Sequence, residues 1–539
     1  MTTFRDTMKL SLGLCLGIVV VLHGTQLALE LNKKRKSTLP PGPRPWPIFG
    51  NTLQLGPSPT KMLAKVCEEY GGIMTLFIGP NPTIVISSPK LMARLIGPLL
   101  TADHFESRPG ELMHGGAVNL ATNGYCKYIN EPTHRCPQWR KVRRILSSYL
   151  MGNKGRFADF QPVQETHRDK VLVALVENLK AKAVETKCYV VSMRPHLRYG
   201  CLDLLYTMCF GSMVDVHTGL VDKHLTLLHS AFRDVVRLGT ICKFTDYLPI
   251  VREMPTTVAD IELAQSAKRA EECSVETVGV VRSRFDLKDR PRRSKLWHSF
   301  LDVLANLKGD EKLSDREITW ILSEIMLSAV DQTAATVEWA LGHLIYHHDM
   351  QLMIQVEIDR VVGAQKHISD DDIDKMPYLK AVVKETQRVN HPLLLTLPHV
   401  ITKPFELGGY RLPKGTHMVA IIPALLKDPN LWIEPEDFRP ERFFHDSHDG
   451  VVDQAKHQLR VDVFNAVNRF CPGQGLVTHK ARLFLAKILQ SFDVLAAHTG
   501  KPRPYDDTSA HESGIINMLK LPLQASLRPR GEVMKHMHT

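Results

Sequence analysis

The first pattern along the chain is an apolar run, LSLGLCLGIVVVL from Leu10 to Leu22, with weaker apolar character continuing to Leu29. Leu10 to Leu29 is 20 residues, about what one helix needs to span a bilayer core. Arg5 and Lys9 precede the run, while Lys33, Lys34, Arg35 and Lys36 follow it. The larger positive cluster stays cytosolic, which leaves residues 1–9 as a short lumenal end. A cleaved signal peptide is the rival reading, but no clean small-x-small cleavage site follows. The expectation is an uncleaved anchor over residues 10–30. Residues 31–51 then form a basic, proline-rich hinge, in which five prolines of LPPGPRPWPIFGN stiffen the backbone.

Beyond Asn51 no second linker, repeat or low-complexity tract interrupts the chain, so residues 52–539 read as one large domain. Helical periodicity dominates it. In LSDREI, Ser314 and Glu317 make a capping box, and Leu313 with Ile318 a hydrophobic staple. The stretch that follows, EITWILSEIMLSAVDQTAATVEWALGHLIYHH, contains no proline and is apolar over much of its surface, as a long buried helix would be. Pro377 opens a second helix in PYLKAVVKETQRVN, which ends before Pro392. A third follows Cys471, in GLVTHKARLFLAKILQSFD. Strand-like pieces lie near Ile73–Phe77, Thr83–Ser87 and His417–Ala420. The fold class is mainly α with minor β.

Composition narrows the function. The formal net charge of +11 suits an anionic membrane surface or an acidic electron donor. The basic residues are spread out and no reader motif accompanies them, so nucleic-acid binding is a poor explanation. Ten cysteines in 539 residues do not make a disulfide scaffold. Cys126 and Cys136 lack a second ligand pair for zinc. No glycine-rich dinucleotide loop follows a strand, so the chain does not bind NADPH itself.

Candidate chemistry gathers around Cys471 in VFNAVNRFCPGQG. A cysteine just before a helix start gains the positive end of the dipole and nearby N–H donors, which favour a thiolate. Gly473 and Gly475 let the backbone bend around a large flat ligand, and Arg469 can neutralise a carboxylate on it. In KETQR, Glu385 and Arg388 are i,i+3 on one helix face. FRPERF supplies Arg442 as a third member that locks an irregular loop onto that helix. In PQWRKVRR, Trp139 and Arg143 are i,i+4. Each pair alone is more often an ordinary salt bridge or core aromatic; their order along the chain is what carries information.

That order resembles the cytochrome P450 family from the anchor to the last strands. Phe464, Arg469, Cys471 and Gly473 match the family's Phe-x-x-Gly-x-Arg-x-Cys-x-Gly pattern. The hinge resembles that of microsomal members. The resemblance implies the haem-thiolate fold behind an N-terminal transmembrane helix, with haem b and Cys471 as the axial thiolate of its iron. Phe464 and Gly473 belong to that cofactor segment. Trp139, Arg143 and Arg469 would hold the haem propionates, with His399 of LPHV where many relatives have arginine. Glu385, Arg388 and Arg442 would form a structural triad. Asp331 on the long helix would relay protons. The implied partners are NADPH-cytochrome P450 reductase, with cytochrome b5 as a further donor, at the endoplasmic reticulum membrane with the catalytic domain cytosolic.

Two positions depart from the family pattern. Val467 stands where the family has glycine, and Asn465 replaces a frequent glycine. In SAVDQTAATVEWA the usual alcohol position holds Gln332, with Thr333 one residue later and turned away by the helix step. Plant relatives that N-hydroxylate amino acids to aldoximes also replace that alcohol, and VEWA, LPHV and the late DDTSAHESG look similar to theirs. The leading expectation is a monooxygenase acting on a lipophilic or amino-acid-derived specialised metabolite. The alternatives are an aldoxime-forming N-hydroxylase, a haem isomerase or dehydratase that needs no reductase, and a non-catalytic haem protein. Candidate pocket walls are 105–135, 206–248, 327–333 and 393–398.

Overall fold

The computed structural model describes residues 39–46, 50–55, 59–78, 81–96, 137–149, 161–186, 189–210, 265, 269, 272, 299–363, 367–396, 399–401, 403–443, 473–497, 511–513 and 516–530. The apolar run 10–29, Cys126 with Cys136, and the segment holding Phe464, Asn465, Val467, Arg469 and Cys471 lie outside these residues, as do the side chains of Trp139 and His399. No described helix is long and apolar enough to cross a membrane.

In chain order the principal helices are α1 (Pro59–Tyr70), α2 (Pro89–Ile96), α3 (Pro137–Tyr149), α4 (Gln161–Glu185), α5 (Met193–Phe210), α6 (Phe300–Ala305), α7 (Asp315–Leu344), α8 (His348–Val361), α9 (Asp370–Asp374), α10 (Pro377–Val389) and α11 (Gln474–Ser491). The strands are β1 (Ile73–Ile78), β2 (Asn81–Ile86), β3 (Val190–Ser192), β4 (His399–Val400), β5 (Phe405–Leu407), β6 (Tyr410–Leu412), β7 (His417–Ala420), β8 (Phe492–Ala496), β9 (His511–Ser513), β10 (Ile516–Met518) and β11 (Gln524–Pro529). They fall into two compact units.

One unit, from residues 1–109, 241–261 and 395–425, is built on a sheet of order β1-β2-β7-β4. β2 pairs parallel to β7, with Thr83 opposite His417, and the other pairings are antiparallel. Residues of the hinge dock on β1 instead of standing free. Thr75 donates its N–H to Pro41 O at 2.9 Å and its hydroxyl to Pro40 O at 2.8 Å. A Cβ on Gly42 would lie 1.9 Å from Thr75 O, so only glycine permits this approach. Gly408 and Gly409, both with positive φ, close the two-residue turn between β5 and β6.

The other unit, from residues 110–240, 262–394 and 426–539, is helical around α7. The expected capping box opens α7: the Ser314 hydroxyl accepts from Glu317 N at 3.3 Å, and Glu317 Oε2 accepts from Ser314 N at 2.7 Å. Ile318, Ile321, Leu322, Met326, Val330, Ala334, Leu341 and Leu344 are all buried in one core with residues of α5, α10 and α11. α5 approaches α11 closely at Gly200, where a Cβ would sit 3.0 Å from Phe484 of α11. Pro377 is the first residue of α10, and Glu357 of α8 caps that helix by accepting from Tyr378 N at 3.0 Å and Leu379 N at 2.9 Å. An antiparallel sheet of order β3-β11-β8 completes this unit.

Candidate active site

The helix α10 presents Glu385 and Arg388 on one face, as their spacing requires, and both are buried. Arg388 grips the carboxylate with both arms of its fork, Nε to Oε2 at 2.7 Å and Nη2 to Oε1 at 2.8 Å. Oε1 also accepts from Arg442 Nε at 3.2 Å and from Arg439 N at 2.9 Å. Arg442 lies in a 3₁₀ turn, Pro440–Phe443, so FRPERF is a tight turn docked on α10. The remaining donors hold irregular backbone. Arg388 reaches Leu426 O, Pro435 O and Asp437 O at 3.1, 2.7 and 3.1 Å. Arg442 reaches Ile433 O, Glu434 O and Asp437 O. Tyr378 of α10 donates its hydroxyl to Glu441 at 3.1 Å, and the Arg388 guanidinium lies 5.1 Å over the Trp432 ring.

Mid-way along α7, Asp331 and Thr333 are buried and Gln332 is half-buried. Asp331 Oδ1 accepts from Arg198 Nε of α5 at 2.7 Å, and Arg198 Nη2 also reaches Met518 Sδ of β10 at 3.1 Å. Two turns further on, Glu338 Oε2 accepts from Arg194 Nε at 2.8 Å and Oε1 from Leu523 N at 2.9 Å. Arg194 Nη2 continues to Leu519 O at 2.5 Å. Trp339 donates its ring N–H to Asn517 O at 3.2 Å. The segment 517–523 is thereby strapped to α7 beside Asp331.

The helix α11 starts at Gln474, three residues after Cys471, and its start at Gly473 carries no side-chain cap. Further along, His479 Nε2 donates to Asp370 Oδ1 at 2.6 Å, an oxygen that also accepts from Arg168 Nη1 of α4 at 2.6 Å. The His479 hydrogen bond and the charges of His479, Lys480 and Arg168 outweigh burial and hold the Asp370 carboxyl well below the usual carboxylate range. Burial pulls the neighbouring Lys480 ammonium down to about 8. On α3, Arg143 is half-buried, one turn after Trp139.

The structure thus brings Glu385, Arg388 and Arg442 onto one carboxylate, and places Asp331, Gln332 and Thr333 on one buried helix. His399 stands on β4 of the sheet unit. Arg194 and Arg198 were not anticipated from sequence. Their signal is a match of spacings: arginines i,i+4 on α5 against acids i,i+7 on α7.

At the end of α7, His343 stacks on Phe438 of the FRPERF turn, with ring centroids 4.1 Å apart and planes 8° from parallel. Its Nε2–H donates to Asn390 Oδ1 at 2.7 Å. Burial lowers its pKa to about 4. Between the ordinary value of about 6.5 and about 4, the unfolded chain binds a proton that folded His343 refuses. Stability therefore falls as pH drops through that window, by up to about 1.4 kcal/mol per pH unit for one such group. Urea unfolding of His343→Phe, which keeps the stack, should show a shallower acid slope than the wild type; an unchanged slope would remove His343 as a source.

The chain is 28% identical to cytochrome P450 98A1 of Sorghum bicolor over 97% of its own length and 98% of that protein. It is 29% identical to flavonoid 3'-monooxygenase of Petunia hybrida over 94% and 95%, and 26% identical to trans-cinnamate 4-monooxygenase of Glycine max over 90% and 92%. The family model for cytochrome P450 matches residues 40–523. The chain belongs to the cytochrome P450 family, whose members bind haem through a cysteine thiolate, and it is a monooxygenase of that family.

Proposed function

We propose that this monooxygenase inserts one oxygen atom from O₂ into a small, aromatic or otherwise lipophilic specialised metabolite, drawing electrons from a separate NADPH-dependent reductase. The observation that carries the reading is the buried Glu385 clasp, which joins α10 to the PERF turn in the arrangement the family motif demands. The names of relatives, flavonoid 3'-monooxygenase and trans-cinnamate 4-monooxygenase, support the substrate class.

The residues present suit a haem. Cys471 is a soft donor placed three residues before α11, whose uncapped start leaves first-turn N–H groups for the preceding chain. Cys471 is the proposed axial ligand, in a segment with Phe464, Arg469 and Gly473. Arg469, Arg143, Trp139 and His399 are the proposed partners of the propionates. The haem, once bound, supplies the oxidative chemistry. Glu385, Arg388 and Arg442 hold the chain behind it. Asp331 is the proposed proton carrier, its Oδ1 kept in place by Arg198, while Gln332 offers an amide instead of a hydroxyl to position water. Thr333 lies one helix step round.

The apolar run 10–30 is proposed as an uncleaved anchor in the endoplasmic reticulum membrane, with residues 1–9 lumenal, residues 31–51 as the hinge and residues 52–539 as the cytosolic catalytic domain. The +11 charge suits docking of the acidic reductase, with cytochrome b5 as a second donor. Gln332 also favours a second reading, in which an amino acid is N-hydroxylated to an aldoxime.

Turnover of a panel of phenolic, terpenoid and amino-acid substrates, with and without reductase and NADPH, separates these readings by product mass. Hydroxylated phenolic or terpenoid product appearing only with reductase is expected. Aldoxime would establish the second reading, and product without reductase would overturn both. Cys471→Ala should abolish the thiolate-type carbon monoxide spectrum. Gln332→Thr should raise the product formed per NADPH several-fold; no change would show that this amide does not limit proton delivery.

A further inference from the structure

The helix α8 mixes apolar and polar residues on both its faces. Its inner face buries Ile354 and Ile358 in the core beside Gln351, Gln355 and Glu357, and these three polar side chains are all hydrogen-bonded. Gln351 pairs with the Val494 backbone in both directions, at 2.9 and 2.8 Å, Gln355 donates to Asp493 at 2.9 Å, and Glu357 caps α10. The middle of its outer face is apolar: Leu352, Met353 and Val356 are 60%, 49% and 58% exposed, with Asp349 and Arg360 exposed at its ends. Single exposed apolar residues are ordinary; three in register on one helix face raise the question of what covers them.

The charges at the ends of this stripe identify its occupant. Asp349, Leu352, Met353, Val356 and Arg360 fall at i, i+3, i+4, i+7 and i+11, within an arc of about 100°. Asp349 is in the first turn and Arg360 in the last. Asp359 is held by Arg530 at 2.7 Å, but Asp349 and Arg360 take part in no ion pair among the described residues. Asp349 with Arg360, and Met353 with Val356, are each symmetric about the point between Ile354 and Gln355. Two copies of α8 laid antiparallel about that point therefore place Asp349 against the second copy's Arg360, twice. They also place Met353 against the second copy's Val356, twice. A two-fold interface requires this kind of self-complementarity. A lipid surface would leave Asp349 uncompensated.

We propose that the outer face of α8 is a self-pairing surface through which two copies of this protein associate about a two-fold axis. So short a stripe falls below the roughly 1,200–2,000 Å² of an ordinary stable interface. The association is weak in dilute solution and is favoured when both copies share one bilayer, a point that rests on the anchor proposed above.

The test uses full-length protein, labelled with a donor or an acceptor fluorophore and reconstituted in phosphatidylcholine vesicles. Flotation with the vesicles is checked first; a chain that does not float overturns the anchor alone, and pairing is then read by sedimentation. Energy transfer above the random-encounter level is expected for the wild type. Val356→Lys, Asp349→Arg and Arg360→Asp should each weaken association at least tenfold while keeping the carbon monoxide spectrum unchanged. Asp349→Arg mixed with Arg360→Asp should restore transfer, because that pairing is attractive at both ends. Wild-type transfer at the random level would give the stripe to another partner and overturn the proposal. Full transfer in Val356→Lys, or no rescue in the mixture, would also overturn it.

Discussion

A fully buried carboxylate needs enough donors to replace water, or it destabilises the fold around it. Glu385 meets that condition with Arg388, Arg442 and the Arg439 N–H. The two guanidinium groups then face the same demand, and they meet it on carbonyls of residues 426, 433–435 and 437. A long stretch without regular secondary structure is thus folded around two cations instead of by its own backbone ladder. His343 extends the arrangement to the end of α7 through Phe438 and Asn390. Removing the carboxylate would leave two partly or fully buried cations without their anion.

The second polar system acts on the other flank of α7. Arg194 and Arg198 of α5 hold Glu338 and Asp331, and each arginine also reaches the segment 518–519. The position of Asp331 is consequently tied to that of the β9–β10 hairpin. Buried hydrogen-bond networks of this kind specify one arrangement of the elements they join. For a monooxygenase, they fix the helix that bears the proposed proton carrier relative to the chain beside it.

Much of this was legible in the sequence wherever the cause was local. The capping box at Ser314, the helix opening at Pro377 and the pairing of Glu385 with Arg388 follow from residues at most four apart. Three of the short strands, β1, β2 and β7, were also readable to within two residues, because apolar clusters bounded by turn residues fix them. What escaped was non-local: Arg198 with Asp331 joins residues far apart in sequence, and no periodicity within either helix announces the other. Likewise, the docking of Pro40–Gly42 on β1 depends on a backbone approach that a proline count alone reads as a spacer. In α8 the glutamines face inward beside Ile354 and Ile358 to serve sheet and helix backbone, while Leu352, Met353 and Val356 lie outside.

On the proposed reading, the Glu385 clasp, by fixing the chain at 426–442, lets Cys471 bind the haem iron as a thiolate. The most direct test is the carbon monoxide difference spectrum and haem content of Glu385→Gln, with helicity followed by circular dichroism. The account predicts near-native helicity with holoprotein yield reduced at least tenfold and little thiolate-type complex. Normal haem content with a full thiolate-type spectrum would contradict it, and would show that the segment is positioned by contacts other than this carboxylate.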